Sequence, residues 1–251
     1  MCTIVYVDKA ESTNSLMAAS IKQFDHGTAI AAHAQTAGRG QRGNHWESEP
    51  GKNLTFSLLI RPTQLVASRQ FELSQIVAIA VTNVLRRHLN TKNVYIKWPN
   101  DIYYNDKKIC GILIENTLTG SRVDYSIVGI GINVNQLKFV SDAPNPVSMA
   151  LITGKQYDLD MLLEEFIHEI IDDFDAYQAN PQGTVLAAHY RFMMWRGEGF
   201  WPYHDNITGR DFEARIAAIA PSGHITLATT GGAFHTFAFK EVTAVLLPAA
   251  L

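Results

Sequence analysis

The sequence is poor in the residues that build metal centres and disulfide frameworks. Its 251 residues include only two cysteines, Cys2 and Cys110, and neither has a Cys or His partner at the spacing of a zinc or haem site. The nine histidines are scattered, so most are expected on the surface or in satisfied core positions. Two isolated cysteines also indicate a reducing compartment. We therefore expect a cytoplasmic protein without disulfides, zinc or haem.

The sequence also lacks a strong charge excess and long apolar runs. Its formal net charge is −3, with 18% charged and 47% apolar residues. The absence of a basic excess argues against a non-specific nucleic-acid binder. No apolar run is long enough for a membrane span, and the N-terminus lacks the pattern of a signal peptide. We expect one large globular domain and a small one, without DNA or membrane partners.

Glycine and arginine, by contrast, are concentrated in residues 35–46. This segment reads Gln-Thr-Ala-Gly-Arg-Gly-Gln-Arg-Gly-Asn-His-Trp. Glycine lets main-chain N–H groups approach a ligand closely, and arginine presents a planar charged fork to carboxylates and phosphates. The pattern predicts a loop that holds an anion, although a solvated turn between strands fits it equally well.

Hydrophobic periodicity places this loop among strands and helices. Residues 53–60 alternate apolar side chains on one face, as in a strand, and residues 69–89 repeat them at helical spacing. Ser12 or Thr13 is a predicted helix N-cap, and a hydroxyl there could equally contact a polar ligand. The predicted strands are residues 4–7, 28–34, 53–60, 94–97, 102–104, 107–115 and 124–134, and the predicted helices are residues 13–23, 69–89, 149–152, 160–178 and 183–196.

One predicted hairpin brings an acid and an amine together. Asn105 and Asp106 form a two-residue turn signal between short strands. With that turn, Tyr103 lies opposite Lys108, and the alternation of side chains places Asp101 on the same face. The sequence therefore predicts that the Asp101 carboxylate and the Lys108 ammonium point the same way.

The predicted strand at 124–134 contains Gly129 and Gly131 within an apolar run. Glycine weakens a strand interior, so something must approach the backbone closely there. Either a packed helix or a ligand satisfies this pattern.

Near Gly197 the sequence changes from helical periodicity to short β-like runs. Short β-like runs at 212–219, 225–229 and 234–245 alternate with turn signals at 221–224 and 231–232. Such runs predict a small barrel or meander. We therefore divide the chain into a domain of residues 1–196 and a small β domain of residues 197–251.

Polar side chains collect at the predicted strand ends and turns. Several cations against one carboxylate suggest that two anionic substrates meet in one cleft. The residues concerned are Ser12, Thr13, Gln35, Arg39, Arg42, Lys97, Asn100, Asp101, Lys108 and Asn133.

Four motifs resemble the biotin protein ligase family in order and in spacing. They are Gly-Arg-Gly-Gln-Arg-Gly-Asn-His-Trp at 38–46, Lys-Trp-Pro-Asn-Asp at 97–101, Lys-Ile-Cys-Gly-Ile-Leu-Ile-Glu at 108–115 and Gly-Ile-Gly-Ile-Asn-Val at 129–134. The resemblance covers nearly the whole chain. It implies an α+β fold, in which a catalytic domain like that of class II aminoacyl-tRNA synthetases packs helices on a mixed sheet. It also implies a small C-terminal SH3-like β-barrel.

The resemblance implies an ATP-dependent ligase with biotin and ATP as substrates and Mg²⁺ as a usual assistant. Biotin's carboxylate attacks the α-phosphate of ATP to give biotinyl-5′-adenylate, and a lysine of a biotin carboxyl carrier protein then displaces AMP. Arg39 and Lys108 would neutralise the developing anions, and Asp101 would orient or deprotonate the incoming lysine. The loop at 38–43 would close over the adenylate, so we expect it to be mobile without biotin.

By the same resemblance, the site residues divide into three groups. The catalytic residues are Arg39, Lys108 and Asp101. The biotin-binding residues are Ser12, Thr13, Asn14, Gln35, Gly38, Arg39, Gly40, Gln41, Lys108, Gly111 and Gly131. The ATP-binding residues are Arg39, Arg42, Trp46, Lys97, Asn100 and Asn133. The resemblance does not indicate which residues would bind a metal.

The sequence departs from the commonest family pattern in the loop. Gln41 and Asn44 stand where many members carry arginine, so we expect weaker retention of the intermediate, with partial compensation by Arg42. Some members also carry an N-terminal DNA-binding domain. Because the catalytic pattern begins almost at residue 1, we expect a single-function ligase without operator binding.

Several alternatives remain open. A lipoate or octanoate ligase of similar fold uses similar chemistry, and a non-catalytic biotin- or nucleotide-binding module is the alternative from another class. The protein could be a monomer, or a homodimer paired through edge strands. The C-terminal module could contact the acceptor, cover ATP or simply stabilise the fold.

Overall fold

A seven-stranded mixed sheet forms the centre of the molecule in the computed structural model, which describes residues 2–40, 45–141 and 143–247. Its strands are β1 (Ile4–Ala10), β2 (Ala29–Gln35), β3 (Leu54–Ile60), β4 (Val94–Lys97), β5 (Asp101–Tyr104), β6 (Lys107–Thr119) and β7 (Arg122–Ile132). The strand order is β1-β2-β3-β7-β6-β5-β4. Strands β1 and β2 pair in parallel, and the other neighbours pair antiparallel.

Helices cover both faces of this sheet. They are α1 (Thr13–Ala19), α2 (Phe71–Leu89), α3 (Met149–Thr153), α4 (Leu159–Ala179) and α5 (Gly183–Phe192). Leu58 packs in the main core with α2 and α4, whereas Leu59 packs with Met17 of α1. Because successive side chains of a strand point to opposite faces, α1 and α2 lie on opposite sides of the sheet.

The two long helices bury the apolar faces that their periodicity predicts. Full burial of such a side chain contributes about 1.5–3 kcal/mol to stability, so the α2–α4 layer is a major source of the stability of the fold. The buried residues of α4 are Leu162, Leu163, Phe166, Ile167, Ile170, Ile171 and Phe174. Helix α2 ends at Leu89 and is capped by Asn90, whose left-handed backbone (φ 47°) directs its N–H to the carbonyls of Arg86 and Arg87.

Several predicted boundaries were wrong. The strands predicted over 4–7 and 107–115 extend to Ala10 and Thr119. The helix predicted to reach residue 23 ends at Ala19 and is followed by a separate single turn at Ile21–Gln23. The helix predicted to reach residue 196 ends at Phe192, because the backbone then turns to donate a hydrogen bond from Trp195 N–H to the Ile96 carbonyl. The strand predicted over 234–245 is two strands separated by a turn.

The C-terminal region forms a second, antiparallel sheet of five strands. The strands are β8 (Trp201–Asp205), β9 (Arg210–Ile219), β10 (Ile225–Thr229), β11 (Phe234–Phe237) and β12 (Val242–Ala244), in the order β11-β10-β9-β8-β12. Strand β8 was not predicted. The order is linear, so these pairings form an open sheet rather than the closed barrel expected from the resemblance.

No helix in the described part of the chain is long and apolar enough to cross a membrane.

Candidate active site

A cavity of about 480 Å³ lies between the large sheet and the C-terminal sheet, with residues of both in its walls. It brings together most of the site residues predicted from the sequence, although they come from distant parts of the chain. These are Ser12, Thr13, Asn14, Gln35, Arg39, Gly40, Trp46, Lys97, Asn100, Asp101, Lys108, Gly111 and Gly131.

Two predicted residues lie outside the cavity lining. Gly38 pairs with Trp46 by accepting its backbone N–H at 3.0 Å. Asn133 is buried beneath the sheet end, with 3% of its surface exposed, and its amide donates to the Val147 carbonyl at 3.1 Å. The predicted site residues Gln41 and Arg42 lie outside the described residues.

The start of α1 contributes a buried polar cluster. Ser12 occupies the predicted N-cap position, but its side chain makes no capping hydrogen bond. Instead, the Thr13 backbone N–H donates to Gln35 Oε1 at 2.8 Å. Gln35 therefore satisfies one of the free N–H groups that every helix start presents.

Ser57 completes this cluster and was not predicted. Its Oγ lies 2.5 Å from Asn14 Oδ1 and 2.8 Å from Thr13 Oγ1, and its side chain is fully buried. A signal was present in the sequence, because Thr55 and Ser57 place hydroxyls on the face of β3 opposite to the predicted apolar face.

Two glycines of β7 make room for side chains of the site. A Cβ at Gly131 would lie 2.6 Å from Trp46 Nε1, and a Cβ at Gly129 would lie 2.9 Å from Asn14 Cγ. Gly111 of β6 lies under the same indole, 3.1 Å from its Cζ3 by the same measure. The close approach predicted for the 124–134 strand is thus made by side chains of the protein itself.

The Asp101 and Lys108 side chains point the same way, as the sequence predicted, and they form an ion pair. Tyr103 lies opposite Lys108, as expected, and a bulge follows Ile102. The Lys108 Nζ–Asp101 Oδ1 distance is 2.7 Å. The ammonium also lies 5.7 Å from the centre of the Trp46 ring, a favourable position for a cation.

Tyr103 lies beside this pair. Burial raises the pKa of its hydroxyl, and the Asp101 carboxylate adds to the effect. The Lys97 ammonium lies 5.2 Å from the centre of the Tyr103 ring. The hydroxyl therefore stays protonated at neutral pH, and Lys97 adds a second cation to this side of the cavity.

Arg39 also lines the cavity and pairs with Glu115. The Arg39 Nη2–Glu115 Oε2 distance is 2.9 Å, and Asn14 Nδ2 donates to the same oxygen at 2.7 Å. Sequence reasoning missed this role of Glu115. It could have been found by alternation, since Gly111 and Glu115 are four residues apart on one strand and so share a face.

Asn100 lines the cavity, but its amide serves the sheet. The Asn100 side-chain Nδ2 donates to the Ile112 carbonyl at 2.6 Å, and the Asn100 backbone carbonyl accepts from the Ile112 N–H at 2.9 Å. These bonds fix the turn between β4 and β5 on which Lys97 and Asp101 lie.

The C-terminal sheet supplies the remaining wall, including Asn206, Lys240 and Thr243. Asn206 Nδ2 donates to Thr243 Oγ1 at 2.9 Å and to the Lys240 carbonyl at 2.7 Å. No sequence signal pointed to these residues, because their place at the cavity depends on how the two sheets pack.

No group of three or more His, Cys, Asp or Glu side chains within the described ranges is placed to hold a metal ion. Asp101 and Glu115 are each already paired with a cation. These residues do not fit a dedicated metal site.

Comparison with known proteins identifies the family. A model of the biotin/lipoate A/B protein ligase family matches residues 5–133, just over half of the chain. The chain belongs to the biotin/lipoate A/B protein ligase family. The matched residues include the Asp101–Lys108 hairpin and both glycines of β7, so the part of the cavity wall that the large sheet provides lies within the match.

Individual ligases are also similar to this chain. The bifunctional ligase/repressor BirA of Salmonella typhimurium is 36% identical over 180 residues, which is 70% of this chain and 55% of that protein. The biotin–[acetyl-CoA-carboxylase] ligase of Paracoccus denitrificans is 34% identical over 155 residues, covering 60% of this chain and 62% of that one. The chain thus spans only about half the length of the first relative.

A solved structure shares the fold over nearly the whole chain. The structure of the Aquifex aeolicus biotin protein ligase in complex with biotin and ATP superposes with a TM-score of 0.78, covering 97% of this chain and 98% of that one at 24% identity. This match includes the C-terminal region, which the family model leaves out.

Proposed function

We propose that this chain is a biotin protein ligase. It activates biotin with ATP as biotinyl-5′-adenylate and then transfers biotin to a lysine of a biotin carboxyl carrier protein. The observation that carries the proposal is that Arg39, Lys108 and Asp101 line one cavity together with the polar residues Thr13, Asn14 and Gln35.

The polar cluster supports biotin as the acid that is activated. Thr13, Asn14, Gln35 and Ser57 present hydroxyl and amide groups in a buried pocket. A cyclic urea, with two N–H donors and one carbonyl acceptor, can exchange hydrogen bonds with such groups, whereas an apolar dithiolane ring cannot.

The cations support the first step. Biotin's carboxylate and the triphosphate repel each other, so their approach needs positive charge. A carboxylate oxygen attacks the α-phosphorus, the bond to the β-phosphate oxygen breaks, and pyrophosphate leaves. In this proposal Arg39 and Lys108, which both line the cavity, neutralise the carboxylate and the α-phosphate as this bond forms.

The Asp101–Lys108 pair supports the second step. When Lys108 binds the adenylate, Asp101 loses its partner and becomes available to the acceptor amine. The neutral amine attacks the acyl carbon, the bond to the phosphate oxygen breaks, and AMP leaves. Asp101 orients the amine and accepts its proton as the amide forms.

Mg²⁺, if used, would be bound by the phosphate oxygens of ATP and by water rather than by a carboxylate cage of the protein. When bound, it would supply further neutralisation of the phosphates.

The test is transfer of labelled biotin to an apo biotin carboxyl carrier domain in the presence of ATP. The expected result is ATP-dependent labelling of one lysine, with release of AMP and pyrophosphate. Absence of labelling would reject the proposal. Pyrophosphate release with lipoate or octanoate but not with biotin would favour the lipoate ligase alternative, and tight biotin binding without pyrophosphate release would favour a binding module.

We also propose the partners, the location, the oligomeric state and the domain division of the protein. The net charge of −3 supports a protein that does not bind DNA, and two free cysteines support a cytoplasmic location. The exposed edges at β1 and β11 are compatible with either a monomer or a homodimer. A division near residue 196, with the open C-terminal sheet as a separate small β domain, is supported by the end of α5 and by the stacking of Tyr203, Phe212 and Phe237 inside that sheet.

A further inference from the structure

Three residues outside the four family motifs connect the β5–β6 hairpin, which carries Asp101 and Lys108, to the C-terminal sheet. We call Asp106, Trp195 and Arg196 the clasp. Trp195 Nε1 donates to Asp106 Oδ1 at 3.0 Å, and the Arg196 guanidinium lies 3.7 Å from the same oxygen. Arg196 also donates to the Val245 carbonyl at 2.7 Å. The clasp therefore joins the turn of the β5–β6 hairpin to the chain just after β12.

Arg196 is held mainly by packing. Its guanidinium lies 4.0 Å from the centre of the Trp195 ring and 4.6 Å from that of Trp201, and its side chain is only 5% exposed. A flat cation between two indoles is well stabilised. The Asp106 carboxylate is 67% exposed, so its charge attraction to Arg196 adds little. A lysine could keep the charge but not the stacking.

Asp106 of the clasp is also linked to the Lys108 backbone by hydrogen bonds through Asn145. Asn145 Nδ2 donates to the Asp106 carbonyl. The Asn145 carbonyl accepts from Lys108 N–H at 2.8 Å, and the Lys108 carbonyl accepts from Val147 N–H at 2.9 Å. Asp106 is thus linked to Lys108 through Asn145. When Asp106 is fixed, Asn145 is held, and the hydrogen bonds at the Lys108 N–H and carbonyl hold the Lys108 backbone in place.

Trp195 adds a second route to the same hairpin. Its backbone N–H donates to the Ile96 carbonyl at 2.9 Å, and its ring packs on Tyr103 at a centroid distance of 5.3 Å. Tyr103 lies opposite Lys108 in the hairpin. Displacement of Trp195 would therefore reach Lys108 through both the turn and the neighbouring strand.

We propose that Arg196 is a positioning residue: it acts through Trp195 and Asp106 to set Lys108 against the cavity wall that the C-terminal sheet provides. This inference rests on the proposed function, because it needs Lys108 to contact the activated substrate. A misplacement of about 1 Å can cost on the order of a hundredfold in rate even when the change is far from the reacting atoms.

The test compares Arg196→Lys with Arg191→Lys. Arg191 is a matched control, since it also donates to a carbonyl of the C-terminal sheet, that of Ile216 at 2.8 Å, but is not part of the clasp. In Arg196→Lys, we expect the kcat of biotin-dependent pyrophosphate release to fall about tenfold or more, with the biotin Kd within about twofold of wild type. Arg191→Lys should lose comparable thermal stability while keeping its kcat.

Asp106 supplies the second variant, in case the Arg196 variant does not fold. Asp106→Ala should lower kcat, whereas Asp106→Asn, which keeps an oxygen for the Trp195 N–H, should largely restore it. Combining Asp106→Ala with Arg196→Lys should cost less than the sum of the two, because both act through one path. Additive effects, or an unchanged kcat in both single variants, would overturn the positioning role.

Amide hydrogen exchange separates the two proposals. Whatever the activity, Arg196→Lys should speed exchange of the Lys108 N–H, and Arg191→Lys should not. Equal exchange in all three proteins would overturn the inference. A wild-type chain without biotin-dependent pyrophosphate release would reject the proposed function instead.

Discussion

Lys108 and Asp101 make an ion pair at 2.7 Å although they are not opposite each other in their hairpin. Lys108 lies opposite Tyr103, and Asp101 lies opposite Gly111. The flexible lysine stem spans the diagonal, and the bulge after Ile102 adds local twist that favours it. The pair therefore depends on the Lys108 side chain as well as on the strand register, and in the proposed two-step reaction Lys108 exchanges Asp101 for the adenylate.

Replacing Lys108 by alanine should abolish most of the activation step. The loss of one cation that stabilises a developing anion costs about 10²–10³ in rate, so we expect biotin-dependent pyrophosphate release to fall by that factor. The control is Lys107→Ala, since Lys107 is an exposed neighbour in the same hairpin. Equal activity of the two variants in single-turnover assays would remove Lys108 from the mechanism.

Replacing Asp101 by asparagine should affect transfer more than activation. Asparagine can hold the amine by its oxygen but cannot accept a proton, and general base catalysis contributes about 10²–10⁴ in rate. We expect biotinyl-adenylate to form and accumulate, while labelling of the carrier domain slows. The measurement is the ratio of pyrophosphate release to labelled carrier. A parallel decrease in both steps would contradict a role specific to transfer.

Adding a methyl group at Gly131 should disturb Trp46. A Cβ there would lie 2.6 Å from Trp46 Nε1, so we expect Gly131→Ala to destabilise the fold by about 1–3 kcal/mol through overpacking and to weaken biotin binding. Thermal unfolding and calorimetry measure these effects.

The double variant Gly131→Ala with Trp46→Ala is the control for this clash. Its stability loss relative to Trp46→Ala alone should be small, because the obstructing ring is gone. If Gly131→Ala is equally harmful in both backgrounds, the close contact with the indole is not its cause.

The pH dependence of stability should include Glu165, which joins α4 to α2. Burial alone would raise its pKa, but hydrogen bonds from His88 and Arg87 outweigh burial and lower the pKa below its usual 4.5. A carboxyl whose pKa is lower in the folded state stabilises the fold above its unfolded pKa. This contribution is lost as the pH falls through the folded value.

The test is urea unfolding of Glu165→Gln and wild type at pH 7 and at pH 4. Because the Glu165 side chain is 36% exposed, solvent screening limits the expected difference at pH 7 to about 1 kcal/mol, and it should shrink at pH 4. Glu164→Gln, at the exposed neighbouring position, should leave the curve unchanged. A difference that grows as the pH falls would contradict the assignment.

Local patterns were enough for much of the fold. The predicted alternation of Leu54, Phe56, Leu58 and Ile60 is buried as one face of β3, and the turn at Asn105 and Asp106 places Lys108 opposite Tyr103 as expected. These features depend on the period of two in a strand and on turn chemistry, both of which are written in neighbouring residues.

Boundaries and long-range contacts were predicted less well. Helix α5 ends four residues early because Trp195 bonds to Ile96, almost a hundred positions away in the chain. Strand β8 and the wall residues Asn206 and Thr243 gave no signal of their own, since their place follows from the packing of one sheet against another. Tertiary contacts override local propensity at such sites.

The sequence by itself determined which chemical groups are present and which of them share a strand face. It thus determined the acid–amine pair of Asp101 and Lys108 and the need for space above Gly129 and Gly131. Only the tertiary structure decided what fills that space, that Glu115 holds Arg39, and that the C-terminal sheet closes the cavity. The reason is physical: strand periodicity is local, whereas the partners of a buried side chain are chosen by how distant elements pack.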